Sequence, residues 1–278
     1  MAKAKRKPPQ VVAREQARQA ARLEAERLKA AQAAKDRRRK LIGLGIGVVL
    51  LVAIVVVVIL VLQETKQSTE DVIRPTGGND AGAIVIGQDL AAGGEPASGE
   101  DVVTVRIFSD YMCPYCGQAE RRLKARLEEL ATAGEIRLEL QVLPRLDSLS
   151  LGTEYSTRAA NAAATVANYA PAQYLAFHSK LFESGIQPAE GSEGLSDEEL
   201  IALAQEVGVP EDVTARFAAA EFEPWVSYAN TEAYNQGVSS TPAMLIGLKE
   251  SDLAAVSNPV QVDIDDAIAK VRAGEKLS

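Results

Sequence analysis

Cysteine and histidine are almost missing from this chain: its 278 residues hold two cysteines and a single histidine, His178. A zinc site needs several such ligands around one ion, so no metal site is expected. Nor is there a disulfide framework, because Cys113 and Cys116 would close a loop too short to constrain the unfolded chain. No internal repeat stands out. Residues 41–62 carry no charge, and the following Gln63-Glu64-Thr65-Lys66 lacks the small-residue pattern of a leader cleavage site. Beyond Leu62 basic residues are outnumbered, 16 against 34 acids. That imbalance argues against nucleic acid or anionic lipid as a ligand of this part, since both would repel it.

What is present is a charge split along the chain. Residues 1–40 carry 14 Lys/Arg against four acids, and the block from Leu41 to Leu62 is 22 apolar residues long. As a helix rising ~1.5 Å per residue the block reaches roughly 33 Å, enough for a hydrocarbon core of about 30 Å. Arg37-Arg38-Arg39-Lys40 abuts it, so the positive-inside rule keeps the N-terminus cytoplasmic. The expected organisation is a basic cytoplasmic tail at 1–40 that acts as a topogenic, membrane-surface segment. A transmembrane helix at 41–62 follows, then a flexible linker at 63–81 and an extracytoplasmic domain at 82–278. On this reading the protein is single-pass in the cell membrane, with the bilayer as partner of residues 41–62.

Periodicity outlines the domain. Ala83 to Ile86 reads as a first edge strand, Val102 to Phe108 as a β-branched strand, and Ile136 to Leu143 as an alternating one. Pro114 to about Ala131 predicts a helix with Cys116, Ala119, Leu123, Leu127 and Leu130 on one face. A long Ala-rich helical stretch runs from about Ser156 to Asn235. Within it Ser196 and Glu199 form a capping box, Leu195 and Leu200 a hydrophobic staple, and Gly208 a stop. Ala243 to Gly247 is a further strand after Thr241-Pro242, and Asp263 to Ala273 closes the chain as a helix. The class is α/β: strand, helix, strand, a block of helices at about 150–236, strand, helix. His178 lies among Tyr174, Phe177, Leu181 and Phe182 at helical spacing and reads as structural. Trp225 reads as core.

The chemistry is carried by Cys113-Pro114-Tyr115-Cys116, at a strand-to-helix junction. Pro114 fits the first helical position, where a missing N–H costs nothing. The helix N-terminus then favours a thiolate on Cys113, which is placed to be exposed and nucleophilic. Cys116, one turn on, shares a face with Leu123 and Leu127 and is shielded. The pair is close enough to bridge. A substrate thiolate attacking Cys113 of the disulfide gives a mixed disulfide, which a second thiol resolves; reversed, the same site reduces its substrate.

FSDYMCPYCGQAE, STRAANAAATVANYAPAQYLAFHSKLF and SSTPAMLIG together resemble the DsbA-like branch of the thioredoxin superfamily, over about residues 82–274. The resemblance implies a thioredoxin fold with an inserted all-helical domain, here preceded by the N-terminal transmembrane helix. It also implies that Thr241-Pro242 is a cis peptide facing Cys113 and Cys116, lining the peptide groove and restraining metal capture. It implies no cofactor. Its expected partners are unfolded secreted or surface proteins, with a quinone-linked membrane oxidase of the DsbB or VKOR kind for reoxidation. Two departures stand out. Pro114-Tyr115 replaces the Pro-His of strongly oxidising relatives, which predicts a less acidic Cys113. Ile107 stands six residues before Cys113, where many relatives bury an acid, and Asp110 is nearer.

Oxidation of cysteine pairs outside the membrane is the reading these features favour. A reductase or isomerase of the same fold is the first alternative, because direction depends on a reduction potential that no motif encodes. A non-catalytic binding or scaffold module is the second. A copper-handling relative would place a histidine near the pair, and His178 lies elsewhere.

Overall fold

The computed structural model describes residues 72–277, with Val55 the one described residue before them. The expected span at 41–62 and the basic tail lie outside the described residues, within which no helix is long and apolar enough to cross a membrane.

Residues 72–277 fall within one compact unit. Its sheet takes the strands β1 (Ile84–Ile86), β2 (Val103–Ser109), β3 (Ile136–Val142), β4 (Ala243–Gly247) and β5 (Ala254–Ala255), in the spatial order β1-β3-β2-β4-β5. β2 and β3 run parallel from Val103↔Ile136 to Ser109↔Val142, while β1, β4 and β5 pair antiparallel with their neighbours. Parallel neighbours need a crossover. Helix α1 (Pro114–Thr132) supplies it. Its buried stripe of Cys116, Ala119, Leu123, Leu127 and Leu130 has the expected 3.6-residue spacing and meets Val103, Val105, Leu138 and Leu140 in the main core. Helix α7 (Ile264–Arg272) adds Ile264 and Ile268 to that core.

Five of the described helices lie between β3 and β4: α2 (Tyr155–Tyr169), α3 (Tyr174–Leu181), α4 (Asp197–Glu206), α5 (Glu211–Thr214) and α6 (Glu223–Asn235). α2 is their axis. Buried Ala159, Ala160, Ala162, Ala163, Ala164 and Ala167 cover most of its circumference, and their small side chains let the other helices approach closely. The capping box forms as Ser196 and Glu199 predict, and Gly208 takes the left-handed conformation (φ +88°) just past α4. Trp225 is core, packed with Ala164 and Phe222.

The α6 face of the sheet is built differently. Phe108, Leu143 and Leu245 meet Ala229 and Ala233 of α6, but polar side chains lie alongside. Arg106 on β2 is 1 % exposed and donates through Nε to Glu139 Oε2 (2.7 Å) and through Nη1 to Gln236 Oε1 (2.5 Å) and Glu250 Oε1 (2.7 Å). Gln141 Nε2 donates to the Ala229 carbonyl (2.7 Å). The chain joins this unit ahead of β1: Thr76 N–H donates to Asn168 Oδ1 (3.1 Å), and Gly78 bridges Ile84. Gly82 (φ +83°) then passes so close to α6 that a Cβ would sit 2.7 Å from Ala229 Cα.

A buried ion pair is costly to break because the surviving charge has no water. Glu139→Ala, which removes the buried partner of Arg106 and leaves its guanidinium to Glu250 and Gln236, is therefore expected to cost about 3 kcal/mol in urea unfolding. Glu250→Ala is expected to cost only about 1–2 kcal/mol, since its side chain is 65 % exposed and water replaces it. Equal losses would contradict this division.

Candidate redox site

Local sequence builds the first half of the site. Cys113 is the N-cap of α1 (φ −76°, ψ 115°), and Pro114 occupies the first turn. The Cys113 carbonyl accepts the N–H groups of Cys116 (3.0 Å) and Gly117 (3.2 Å), and the Cys113 N–H donates to the Asp110 carbonyl (3.0 Å). Both cysteines are free thiols. The second half arrives from 128 residues away: the Thr241-Pro242 peptide is cis, and Cys113 Sγ lies 3.6 Å from the Thr241 carbonyl oxygen. The structure thus brings together Cys113, Pro114, Tyr115, Cys116, Thr241 and Pro242.

Exposure differs from expectation. Cys113 retains only 4 % of its surface and Cys116 2 %, whereas Tyr115 between them is 61 % exposed. The N-cap position alone would leave Cys113 open; the Thr241-Pro242 loop and the side chain of Gln187, whose Nε2 donates to the Cys113 carbonyl (2.8 Å), close around it.

The two thiols are electrostatically unequal. A hydrogen bond from Cys116 lowers the pKa of Cys113 from 9.0 to about 7 against the opposing pull of burial, helped by the N–H groups of Cys116 and Tyr115 and by Thr241. Burial, reinforced by the neighbouring Cys113, pushes Cys116 well above its ordinary value. One sulfur becomes a thiolate near neutrality, and the other holds its proton.

Two buried acids surround the pair. Asp110 is 0 % exposed; its Oδ1 accepts from Met112 N–H (2.8 Å) and Ser156 Oγ (2.7 Å), and its Oδ2 from Leu146 N–H (2.9 Å). Burial raises its pKa from 3.8 to about 6, and these bonds oppose the rise. Glu120, one turn beyond Cys116, lines a small cavity with Cys116, Phe182 and Pro242. Its Oε1 accepts from Ser179 Oγ (2.8 Å), and its Oε2 stands 3.7 Å from His178 Nε2. Burial pushes the Glu120 carboxyl up, but His178 and Ser179 outweigh it and hold the group below the usual range. His178 Nδ1 is 2.9 Å from the Tyr111 hydroxyl, and the rings of Tyr111, Tyr174 and Phe182 enclose it. The histidine is packed as its helical spacing implies, and it also ties α3 to the segment before Cys113.

Sequence reasoning missed Glu120 and Gln187 as parts of this site. Glu120 had a signal, since it follows Cys116 by four residues and so shares its side of the helix. Gln187 had none. Among the described residues no cluster of His, Cys, Asp or Glu is arranged to hold a metal.

Comparison with known proteins adds the following. The family profile described as Thioredoxin matches residues 88–265. The serine/threonine-protein kinase PknE of Mycobacterium tuberculosis is 36% identical over 107 residues, 38% of this chain and 19% of that protein. This chain therefore spans about a fifth of the curated relatives it matches. Oxidized DsbA of Mycobacterium tuberculosis superposes with a TM-score of 0.55 at 24% identity, over 68% of this chain and 92% of that one. The disulfide bond oxidoreductase DsbG of the same organism gives 0.52 at 25% identity, over 63% and 86%. These neighbours share the mixed sheet with flanking helices.

The raised pKa of Asp110 has a definite sign in stability. The folded state holds this proton up to about pH 6, the unfolded state only to about 3.8. The contribution is complete below the unfolded value and is lost as pH rises through the folded one. Relative to Asp110→Asn, the wild type is therefore expected to lose stability between about pH 4 and 6. A flat difference between their unfolding free energies across that window would remove Asp110 from this role.

Proposed function

The chain belongs to the thioredoxin family, and from that premise we propose that it exchanges disulfides with protein thiols at Cys113 and Cys116, chiefly as an oxidase. The carrying observation is the inequality of the two thiols within one helical turn, with Cys113 at about 7 and Cys116 well above its ordinary value.

The steps follow from that inequality. A substrate thiolate attacks Cys113 Sγ of the disulfide; the S–S bond breaks, its electron pair goes to Cys116 Sγ, and that sulfur takes a proton. The second substrate thiolate then attacks the substrate sulfur of the mixed disulfide and expels Cys113 as a thiolate. The lower the pKa of that leaving thiol, the more readily it departs and the more stable the reduced form becomes. Pro114 and Tyr115 form the rim over the pair, and Thr241-Pro242 the side against which a substrate segment lies. Attack at Cys113 is favoured because its sulfur lies against the Thr241-Pro242 loop, beneath the exposed Tyr115.

The charge split of the sequence supports the proposed setting: residues 1–40 cytoplasmic, 41–62 in the bilayer, the redox domain outside the cell membrane. Disulfides persist there. Substrates would be unfolded secreted or surface proteins, and a quinone-linked DsbB- or VKOR-like membrane protein would restore the disulfide. One observation favours a reductase or isomerase instead. A Cys113 pKa of about 7 matches thioredoxin more than the strongest oxidants, whose thiols titrate at about 3.5.

Equilibration against glutathione buffers decides direction. A potential towards about −120 mV marks a disulfide donor, one near −270 mV a reductase. A pair that never exchanges would leave only a binding module. Cys113→Ser is expected to abolish exchange. Cys116→Ser is expected to accumulate a mixed disulfide when given a disulfide-linked cysteine peptide, Cys113 capturing one half while the other leaves as a free thiol, visible as a mass adduct. Trapping by Cys113→Ser in its place would reverse the assigned roles.

A further inference from the structure

The first turn of α1 carries an oddity that its redox chemistry does not explain. Gly117 sits inside the helix and is buried, although glycine is a poor helix former and alanine would suit the backbone better. The reason lies 70 residues away, in the loop after α3. Gln187 Nε2 donates to two main-chain carbonyls at the pair, Cys113 (2.8 Å) and Tyr111 (3.2 Å). Its Oε1 rests over Gly117, so close that a Cβ there would collide with it, and the same Cβ would lie 2.7 Å from Arg121 Nη1. Arg121 in turn donates to the Phe182 carbonyl, where that loop begins. The helical block thus grips the redox turn through one amide, and Gly117 is the notch into which that amide fits.

We infer that Gln187 is a positioning residue for Cys113, acting through the Cys113 and Tyr111 carbonyls, and that Gly117 exists to admit it. This rests on the redox reading of the pair and deepens it. The Cys113 carbonyl also accepts Cys116 and Gly117 N–H groups, so pinning it holds the turn whose Tyr115 and Cys116 N–H groups face Cys113 Sγ. Releasing the amide lets that turn relax and weakens those contacts. Gln187 is half-buried in a loop, so its replacement spares the core.

The test is a double-mutant cycle on the reduced full-length chain, with two readouts. Gln187→Met keeps the length and loses both donors. It is expected to raise the Cys113 pKa by roughly half a unit to one unit, a three- to tenfold loss of thiolate at pH 5, read from absorbance at 240 nm. Gly117→Ala, which evicts the amide, is expected to raise it equally, and to add nothing once Gln187→Ala is present. The stability readout changes sign. Gly117→Ala is expected to lower the thermal midpoint in the wild type and raise it beside Gln187→Ala, where the better helix former has only the movable end of Arg121 to displace. An unchanged thiol pKa in Gln187→Met, or the same loss from Gly117→Ala in both backgrounds, would overturn the inference. Neither readout needs disulfide exchange, so a wild type that exchanges nothing would defeat the redox reading and leave the clamp standing or falling on its own cycle.

Discussion

A carboxylate sealed away from water must collect its hydrogen bonds from the chain around it, and Asp110 collects them from three separate segments. Met112 lies in the turn leading to Cys113, Leu146 on the exit from β3, and Ser156 in the first turn of α2. Sheet, redox turn and helical block are thereby referenced to one pair of oxygens at the end of β2. The other ties near the pair repeat the arrangement with different chemistry. His178 and Ser179 of α3 meet Glu120 of α1, Gln187 meets the Cys113 carbonyl, and Thr241 meets Cys113 Sγ. A sulfur atom at a helix start is therefore fixed by groups drawn from most of the fold.

The two faces of the sheet divide the remaining work. Against α1 and α7 the contacts are aliphatic, which gives burial energy but little directional preference. Against α6 they include the Arg106–Glu139 pair and the Gln141–Ala229 bond, which constrain how that helix end and the Glu250 turn can sit. Directional bonds of this kind contribute modest net stability and penalise every misregistered arrangement that leaves them unmade.

What sequence could reveal tracked how local the cause was. The strands β2, β3 and β4, helix α1 and the capping box of α4 follow from period, β-branching, Pro114 and Ser196, all acting within a few residues. β5 is two alanines and carries no such signature. The near-complete enclosure of Cys113 was invisible because its lids, Thr241 and Gln187, lie 128 and 74 residues away. Asp110 was noticed as an acid near the pair, but its burial depends on Ser156, which only tertiary packing supplies. His178 shows the mixed case: its packing beside Tyr174 and Phe182 is legible from helical spacing, its contacts with Tyr111 and Glu120 are not.

The inequality of the two thiols also fixes how many protons travel with the electrons. Below about pH 7 both sulfurs of the dithiol are protonated, so reduction of the disulfide takes up two protons with two electrons. Above that value Cys113 has shed its proton while Cys116 keeps its own, and the count falls to one. By the Nernst relation the potential then drifts by about 30 mV per pH unit instead of about 59 mV. The retained proton of a single sulfur makes the couple half as sensitive to the acidity of its surroundings on the alkaline side of neutrality.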